Sequence, residues 1–193
     1  DVDLYGAAVQ SGADTSITAG RNLDASTLTL TATQDAGTTD GLNGGHFNTT
    51  THVGSTITTG GNLTTVSGGD TTLTDAALQA DGDAALLAGG NLTVTAAKDT
   101  SSYNGQSMGG SLFHHKDSTY DETVQGTGIN AGGSVTLAAG QGAGATGDLS
   151  ILGSSVTTGG ANGAAGGAVN LQSTGDIAVG GVAEEHDAQH WSH

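Results

Sequence analysis

The sequence predicts an all-β fold, a parallel β-helix solenoid with about 20–21 residues per rung and extended hairpin-like excursions. Three observations carry that expectation. Gly-Gly-Asn-type turns return at a fixed interval, the aliphatic residues between them alternate with period two, and Pro is absent from all 193 positions. A Pro would delete a backbone N–H that every rung of a ladder needs.

The turns Gly60-Gly61-Asn62-Leu63, Gly68-Gly69-Asp70, Asp81-Gly82-Asp83 and Gly89-Gly90-Asn91-Leu92 set the interval. Asn62 and Asp83 are 21 residues apart, as are Asp70 and Asn91, so two kinds of turn alternate within one period. Apolar positions keep step: Ile57 aligns with Leu78 and Leu73 with Val94. Farther on, Val135, Val156 and Ile177 also fall at steps of 21, which predicts one stacked column. Leu149 with Val169, and Ile151 with Leu171, are 20 apart and predict two more.

Between turns the alternation marks strands with one buried face, as in Leu28-Thr29-Leu30, Leu92-Thr93-Val94, Val135-Thr136-Leu137, Leu149-Ser150-Ile151, Val169-Asn170-Leu171 and Ile177-Ala178-Val179. At the corners Asn62, Asp70, Asp83 and Asn91 are expected as structural turn residues, with Gly and Asn tolerating a left-handed backbone. Stacked one rung apart, those four could also be imagined as a calcium site, but the Gly-Gly-x-Gly-x-Asp nonapeptide signature is missing. The turn role is preferred. At about 4.8 Å per rung, about nine rungs would span roughly 40 to 45 Å.

Composition excludes several function classes. Three basic residues against 19 acidic ones give a formal net charge of −16, which repels nucleic acid and anionic headgroups. No apolar run approaches the length of a membrane helix, so no membrane insertion of this segment is expected. Six aromatics and 35 Gly imply a thin aliphatic core, and the lack of Cys fits a secreted chain that does not depend on disulfides. The polar composition resembles a disordered tract, but regular Leu, Ile and Val spacing argues for folding.

Residues 1–193 are expected to form a single β-helix segment of a longer protein, interrupted by excursions near 36–56 and 100–128, with a third starting near 184 and continuing past His193. Polar runs lead to Gly44-Gly45-His46-Phe47 and to Gly109-Gly110-Ser111-Leu112-Phe113-His114-His115, and each excursion is expected to turn at its Gly pair. The aromatic and imidazole residues concentrated there, Phe47, Tyr103, Phe113, His114, His115 and Tyr120, are candidates for a surface contact with a receptor or glycan. Their competing role is to pin the excursions in place.

At the tail, Glu184-Glu185-His186-Asp187 leads to His190 and His193. His186, His190, His193 and Asp187 are the candidate metal ligands, because His-x3-His is the spacing of a zinc pair. A solvated polar excursion is the simpler reading, so no metal and no cofactor is expected. No strained Gly-x-Ser-x-Gly elbow accompanies the many Ser, His and Asp residues, so an enzyme is not expected.

Ile-Thr-Ala-Gly-Arg-Asn-Leu at 17–23, Ile-Thr-Thr-Gly-Gly-Asn-Leu at 57–63, Leu-Leu-Ala-Gly-Gly-Asn-Leu at 86–92 and Ile-Asn-Ala-Gly-Gly-Ser-Val at 129–135 resemble the haemagglutinin repeats of filamentous haemagglutinin and of contact-dependent growth inhibition exoproteins. The resemblance covers nearly the whole chain, polar excursions included. It implies a right-handed coil, two-partner secretion through an outer-membrane transporter of a Gram-negative bacterium, and an extracellular, cell-surface location. The function it implies is a non-enzymatic stalk or filament segment that projects a distal adhesive or toxic domain. Two other functions stay open on the residues alone: a β-helix that binds or cleaves polysaccharide, and a self-associating extracellular fibre.

Overall fold

In the computed structural model, residues 1–37, 43–108, 114–159 and 166–192 are described. Each circuit of the chain is three short strands, in chain order β1 (Val2–Tyr5), β2 (Ala8–Ser11) and β3 (Thr15–Ala19) for the first rung. The second rung opens with β4 (Leu23–Ser26), departs through β5 (Leu28–Gly37) and β6 (Gly44–Val53), and resumes with β7 (Thr56–Thr59) and β8 (Leu63–Ser67). The third is uninterrupted: β9 (Thr71–Thr74), β10 (Ala77–Ala80) and β11 (Ala84–Ala88). The fourth departs again, running β12 (Leu92–Thr95), β13 (Ala97–Met108), β14 (His114–Gln125), β15 (Gly128–Ala131) and β16 (Val135–Ala138). After β17 (Leu149–Leu152), β18 (Ser155–Thr158) and β19 (Val169–Gln172), the sixth begins with β20 (Ile177–Gly180) and leaves through β21 (His186–Ser192).

Three all-parallel sheets result, in the orders β1-β4-β9-β12-β17-β20, β18-β15-β10-β7-β2 and β19-β16-β11-β8-β3. This is the stacked arrangement of a β-helix. Asp1–Leu28, Val53–Ala97 and Gly126–Val182 make up this compact unit. A second unit, Thr29–His52, Lys98–Gln125 and Ala183–His193, is built on the sheet β21-β14-β13-β6-β5.

The solenoid core is aliphatic, with Leu23, Ile57, Leu63, Leu73, Leu78, Leu86, Leu92, Ile129, Leu137 and Leu149 fully buried. Ile57 pairs with Leu78 and Leu73 with Val94, as the 21-residue period requires. Beyond Val94 the period fails. Val135, Val156 and Ile177 lie in three different sheets, where Val135 pairs with Val169, Val156 with Ile129 and Ile177 with Leu149. Leu149 and Val169 likewise belong to different sheets, as do Ile151 and Leu171, which pairs with Leu137. The cause is insertion at corners: the connection from β16 to β17 and the connection from β18 to β19 are both longer than the three-residue corners of earlier rungs. Steps of 20 and 21 there are coincidences of sequence, because Leu149 meets its partner 28 residues on.

Two further expectations are corrected. Leu28-Thr29-Leu30 belongs to β5, every residue of which is exposed, so it lies at the root of an excursion and not in a core-facing rung. The parallel sheets hold six, five and five strands, short of nine rungs, because excursions and corner insertions take up residues that an unbroken period would assign to rungs. At β19 and β20, which have a sheet neighbour on one side only, Val169, Ile177 and Val179 remain exposed.

The corners show why the Gly-Gly-Asn phrase recurs. Each Asx side chain accepts a hydrogen bond from the backbone N–H of the equivalent residue on the next rung. In one column Asp14 accepts from Asn62 (2.7 Å), Asn62 from Asp83 (2.8 Å) and Asp83 from Ser134 (2.7 Å). In the other, Asp1 accepts from Asn22 (3.0 Å), Asn22 from Asp70 (3.0 Å), Asp70 from Asn91 (2.7 Å), Asn91 from Asp148 (2.9 Å) and Asp148 from Asp176 (2.8 Å).

From Asn62 onward the residue before each Asx is a glycine, and this contact accounts for it. A Cβ on Gly82 would collide with Asn62 Oδ1, and one on Gly90 with Asp70 Oδ1. Neither glycine has a positive φ, so close approach and not a left-handed backbone selects them.

A third corner joins the first sheet to the second. Where the circuit closes directly, Gly6 (φ 56°), Asp75 (φ 49°) or Gly153 (φ 59°) takes the left-handed conformation. On the alternate rungs the same corner opens into β5–β6, β13–β14 or β21. Hydroxyls seal the two re-entry points. Buried Ser55 accepts from the Ala7 N–H (3.1 Å) and faces the Leu4 and Ser26 carbonyls (2.8 and 2.9 Å). Thr127 accepts from the Ala76 N–H (3.1 Å) and donates to the Thr95 carbonyl (2.6 Å).

One buried hydroxyl has no such role. Thr65 sits between Ile17 and Leu86 in its column, 1% exposed, and its Oγ1 has no hydrogen-bond partner. Thr65→Val keeps the shape and removes the orphan, so it should stabilise the chain by about 1 kcal/mol in denaturant titration; a loss of stability would show that the hydroxyl is satisfied.

Candidate functional site

Antiparallel pairing in the second unit places long polar strands side by side, and side chains alternate between its two faces. β13 pairs with β6 so that Tyr103 faces Phe47 and Gly105 faces Gly45. β14 pairs with β21 so that Asp117 faces His190, Asp121 faces His186 and Lys116 faces Trp191. Across β6, β13, β14 and β21 lies an open cavity of about 890 Å³, lined by His46, Asn104, Gln106, Asp117, Gln189, His190 and Trp191 among others.

Period two puts His115, Asp117 and Asp121 on the same face as His186 and His190. His190 Nδ1 lies 2.5 Å from Asp117 Oδ1, and its ring meets His115 edge-on with centroids 4.2 Å apart. His186 Nδ1 is hydrogen-bonded to Asp121 Oδ1, while its Nε2 lies 3.4 Å from Glu184 Oε2. The Asp121 hydrogen bond is the largest influence on the His186 imidazole, raising its pKa above the ordinary 6.5, with Glu184 adding to the shift.

Glu122 anchors the same strand pair. Buried, it takes a hydrogen bond from Lys98 Nζ (2.6 Å), one from the Tyr120 hydroxyl (2.9 Å) and one from the Glu185 N–H (3.0 Å). The Lys98 bond, followed by those from Tyr120 and Glu185, holds its carboxyl below the usual 4.5, and the Tyr120 phenol is raised in turn by its bond to Glu122. The neighbouring Val124 N–H donates to Glu184 Oε1 (2.7 Å).

The residues expected at a metal site separate. His186 and His190 are on a strand, where four residues span about 13 Å, so they cannot ligate one ion as a helical His-x3-His pair would. Asp187 alternates to the opposite face, across from Tyr120, where it accepts from Gln189 Nε2 (3.0 Å). His193 lies outside the described residues. The structure brings His190 together with His115 and Asp117 instead.

Among the expected surface-contact residues, Phe47 and Tyr103 form one cross-strand pair, each 39% exposed, and the Tyr103 ring covers Gly45 and Gly105. His114, His115 and Tyr120 lie on β14. Phe113, and with it the Gly109-Gly110 pair, lies outside the described residues. Gly44 and Gly45 open β6 opposite Gln106 and Gly105, and so belong to a strand and not to a turn.

Asn62, Asp70, Asp83 and Asn91 each hold a corner bond. Asp117, Asp121, Glu122 and Trp191 were not singled out from sequence. His190 and His186, which face Asp117 and Asp121, lie more than 60 residues on, beyond the six solenoid strands β15–β20, and no local pattern signals that register.

The hemagglutinin-repeat family profile matches residues 7–110 and 109–177. The chain belongs to the hemagglutinin-repeat family. The matched region takes in the solenoid strands from β2 to β19 and both complete excursions of this family member. Comparison with curated proteins and with solved structures returns no match. No helix among the described residues is long and apolar enough to cross a membrane.

The His186–Asp121 contact and the Glu122 anchor set a pH window for β21. The raised imidazole of His186 stabilises its pairing fully below 6.5, and that contribution fades as pH rises through the folded value. The depressed carboxyl of Glu122 contributes above 4.5 and is lost on acidification through its folded value. Amide protection of β21 relative to intrinsic exchange should therefore be greatest between those limits, and His186→Gln should flatten its alkaline side. Protection in the parent that is unchanged from pH 6 to pH 8.5 would contradict the assignment.

Proposed function

We propose that the chain is a non-enzymatic shaft segment of a filament- or adhesin-type exoprotein that spaces a distal adhesive or toxic domain from the bacterial surface. The observation that carries this reading is the solenoid itself: each rung is tied to the next by ladder bonds and by an Asx bond at two corners, so stability is shared along the repeat and does not depend on one central core. Family membership supports an extracellular setting and export by two-partner secretion through an outer-membrane transporter.

A specific feature favours a second reading, in which the long excursion strands also bind polysaccharide. The cavity on the second sheet combines a half-exposed Trp191 with the amides of Asn104, Gln106 and Gln189 and the Asp117 carboxylate, the groups that stack on and hydrogen-bond to sugar rings.

One deletion separates the two. Ala77 and Gly128 are register partners, so removing residues 77–127 from the parent exoprotein excises one circuit of three solenoid strands with the second excursion and rejoins equivalent positions. A shaft should still be exported, with its surface activity retained. If export persists but adhesion is lost, and Trp191→Ala in the intact protein abolishes signals on a glycan array, the segment itself is the binding module.

A further inference from the structure

We infer that His115, Asp117 and His190 form a binding site for one divalent transition-metal ion of the zinc type. The argument begins with strand register. Asp117 lies directly across from His190, and His115 precedes Asp117 by two residues, so all three stand on one face of the β14–β21 pair. Their ligating atoms lie within 4.8 Å of one another, the sole such group of three among the described residues.

The donor set fits the ion class. Two imidazoles and one carboxylate are borderline nitrogen and oxygen ligands, which suit zinc, cobalt, nickel or copper, whereas calcium and magnesium require shells of oxygen. Three protein donors leave a fourth tetrahedral position for water. Bonds of about 2.0–2.1 Å put neighbouring tetrahedral donors about 3.3 Å apart, which these side chains reach by small rotations. His190 is exposed and the other two are half-buried, so the ion has an open approach and the side chains have room to adjust. In the metal-free chain a proton joins His190 Nδ1 to Asp117 Oδ1; the ion would take that proton's place. The chain's net charge of −16 favours cation capture.

A built-in control lies four residues along each strand. His186 has a carboxylate across from it, as His190 has, but its second acidic neighbour Glu184 approaches the other ring nitrogen. Two donors on opposite edges of one ring cannot share an ion with it.

The test is calorimetric titration of zinc chloride into the full chain, free of any histidine tag, at pH 7.5. One equivalent should bind, with affinity in the micromolar range, and H115Q and H190Q should each weaken it by about tenfold or more, while H186Q leaves it within about twofold. Imidazole NMR resonances provide a readout that does not depend on how the variants fold: zinc should move those of His115 and His190 in the parent chain and leave His186 in place. Absence of saturable binding up to about 100 µM zinc, equal affinity in the parent and H115Q, or shifts centred on His186 would each overturn the site.

Discussion

The fold depends on one repeated contact, the Asx side-chain oxygen at a corner accepting the backbone N–H one rung on. Backbone bonds already continue from rung to rung through these corners, as from the Gly82 N–H to the Gly61 carbonyl (2.9 Å) and from the Gly90 N–H to the Gly69 carbonyl (2.8 Å). The Asp14–Asn62–Asp83–Ser134 column and the longer column from Asp1 to Asp176 add a side-chain tie to them at two of the three corners. The contact explains both halves of the repeated phrase, since the Asx supplies the acceptor and the glycine ahead of it makes room for the acceptor below.

That division of labour determines what could be read from the sequence. A contact repeated at a fixed chain interval leaves a fixed-interval signature, so the solenoid, its parallel pairing and the columns through Ile57–Leu78 and Leu73–Val94 were legible. The third corner was not, because it is built around Gly6, Asp75 or Gly153 with no shared phrase, and it is the one that opens into excursions. Register in the later rungs was hidden for a related reason. Insertions at two corners shift the count, and a count of residues cannot distinguish a corner that grew from a strand that moved. The cluster of His115, Asp117 and His190 was illegible because it depends on which strand of a distant excursion lies alongside β14.

The alternation of closed and open corners also accounts for the two units. Excursions leave from every second rung. Solenoid rungs with small corner residues supply regularity, while the excursion strands carry most of the histidine and aromatic residues. The regular ladder and the histidine- and aromatic-bearing strands thus belong to different stretches of one repeating chain.

The most direct test of the corner contact is a pair of glycine substitutions compared by equilibrium unfolding. Gly90 lies against Asp70 Oδ1, whereas nothing lies within 4 Å of a Cβ placed on Gly12 at the other kind of corner. The account predicts that Gly90→Ala costs about 1–3 kcal/mol or more, and that Gly12→Ala stays within about 0.5 kcal/mol of the parent. Equal effects at the two positions would show that glycine serves the corners through backbone freedom, and the side-chain ladder would lose its place as the organising contact.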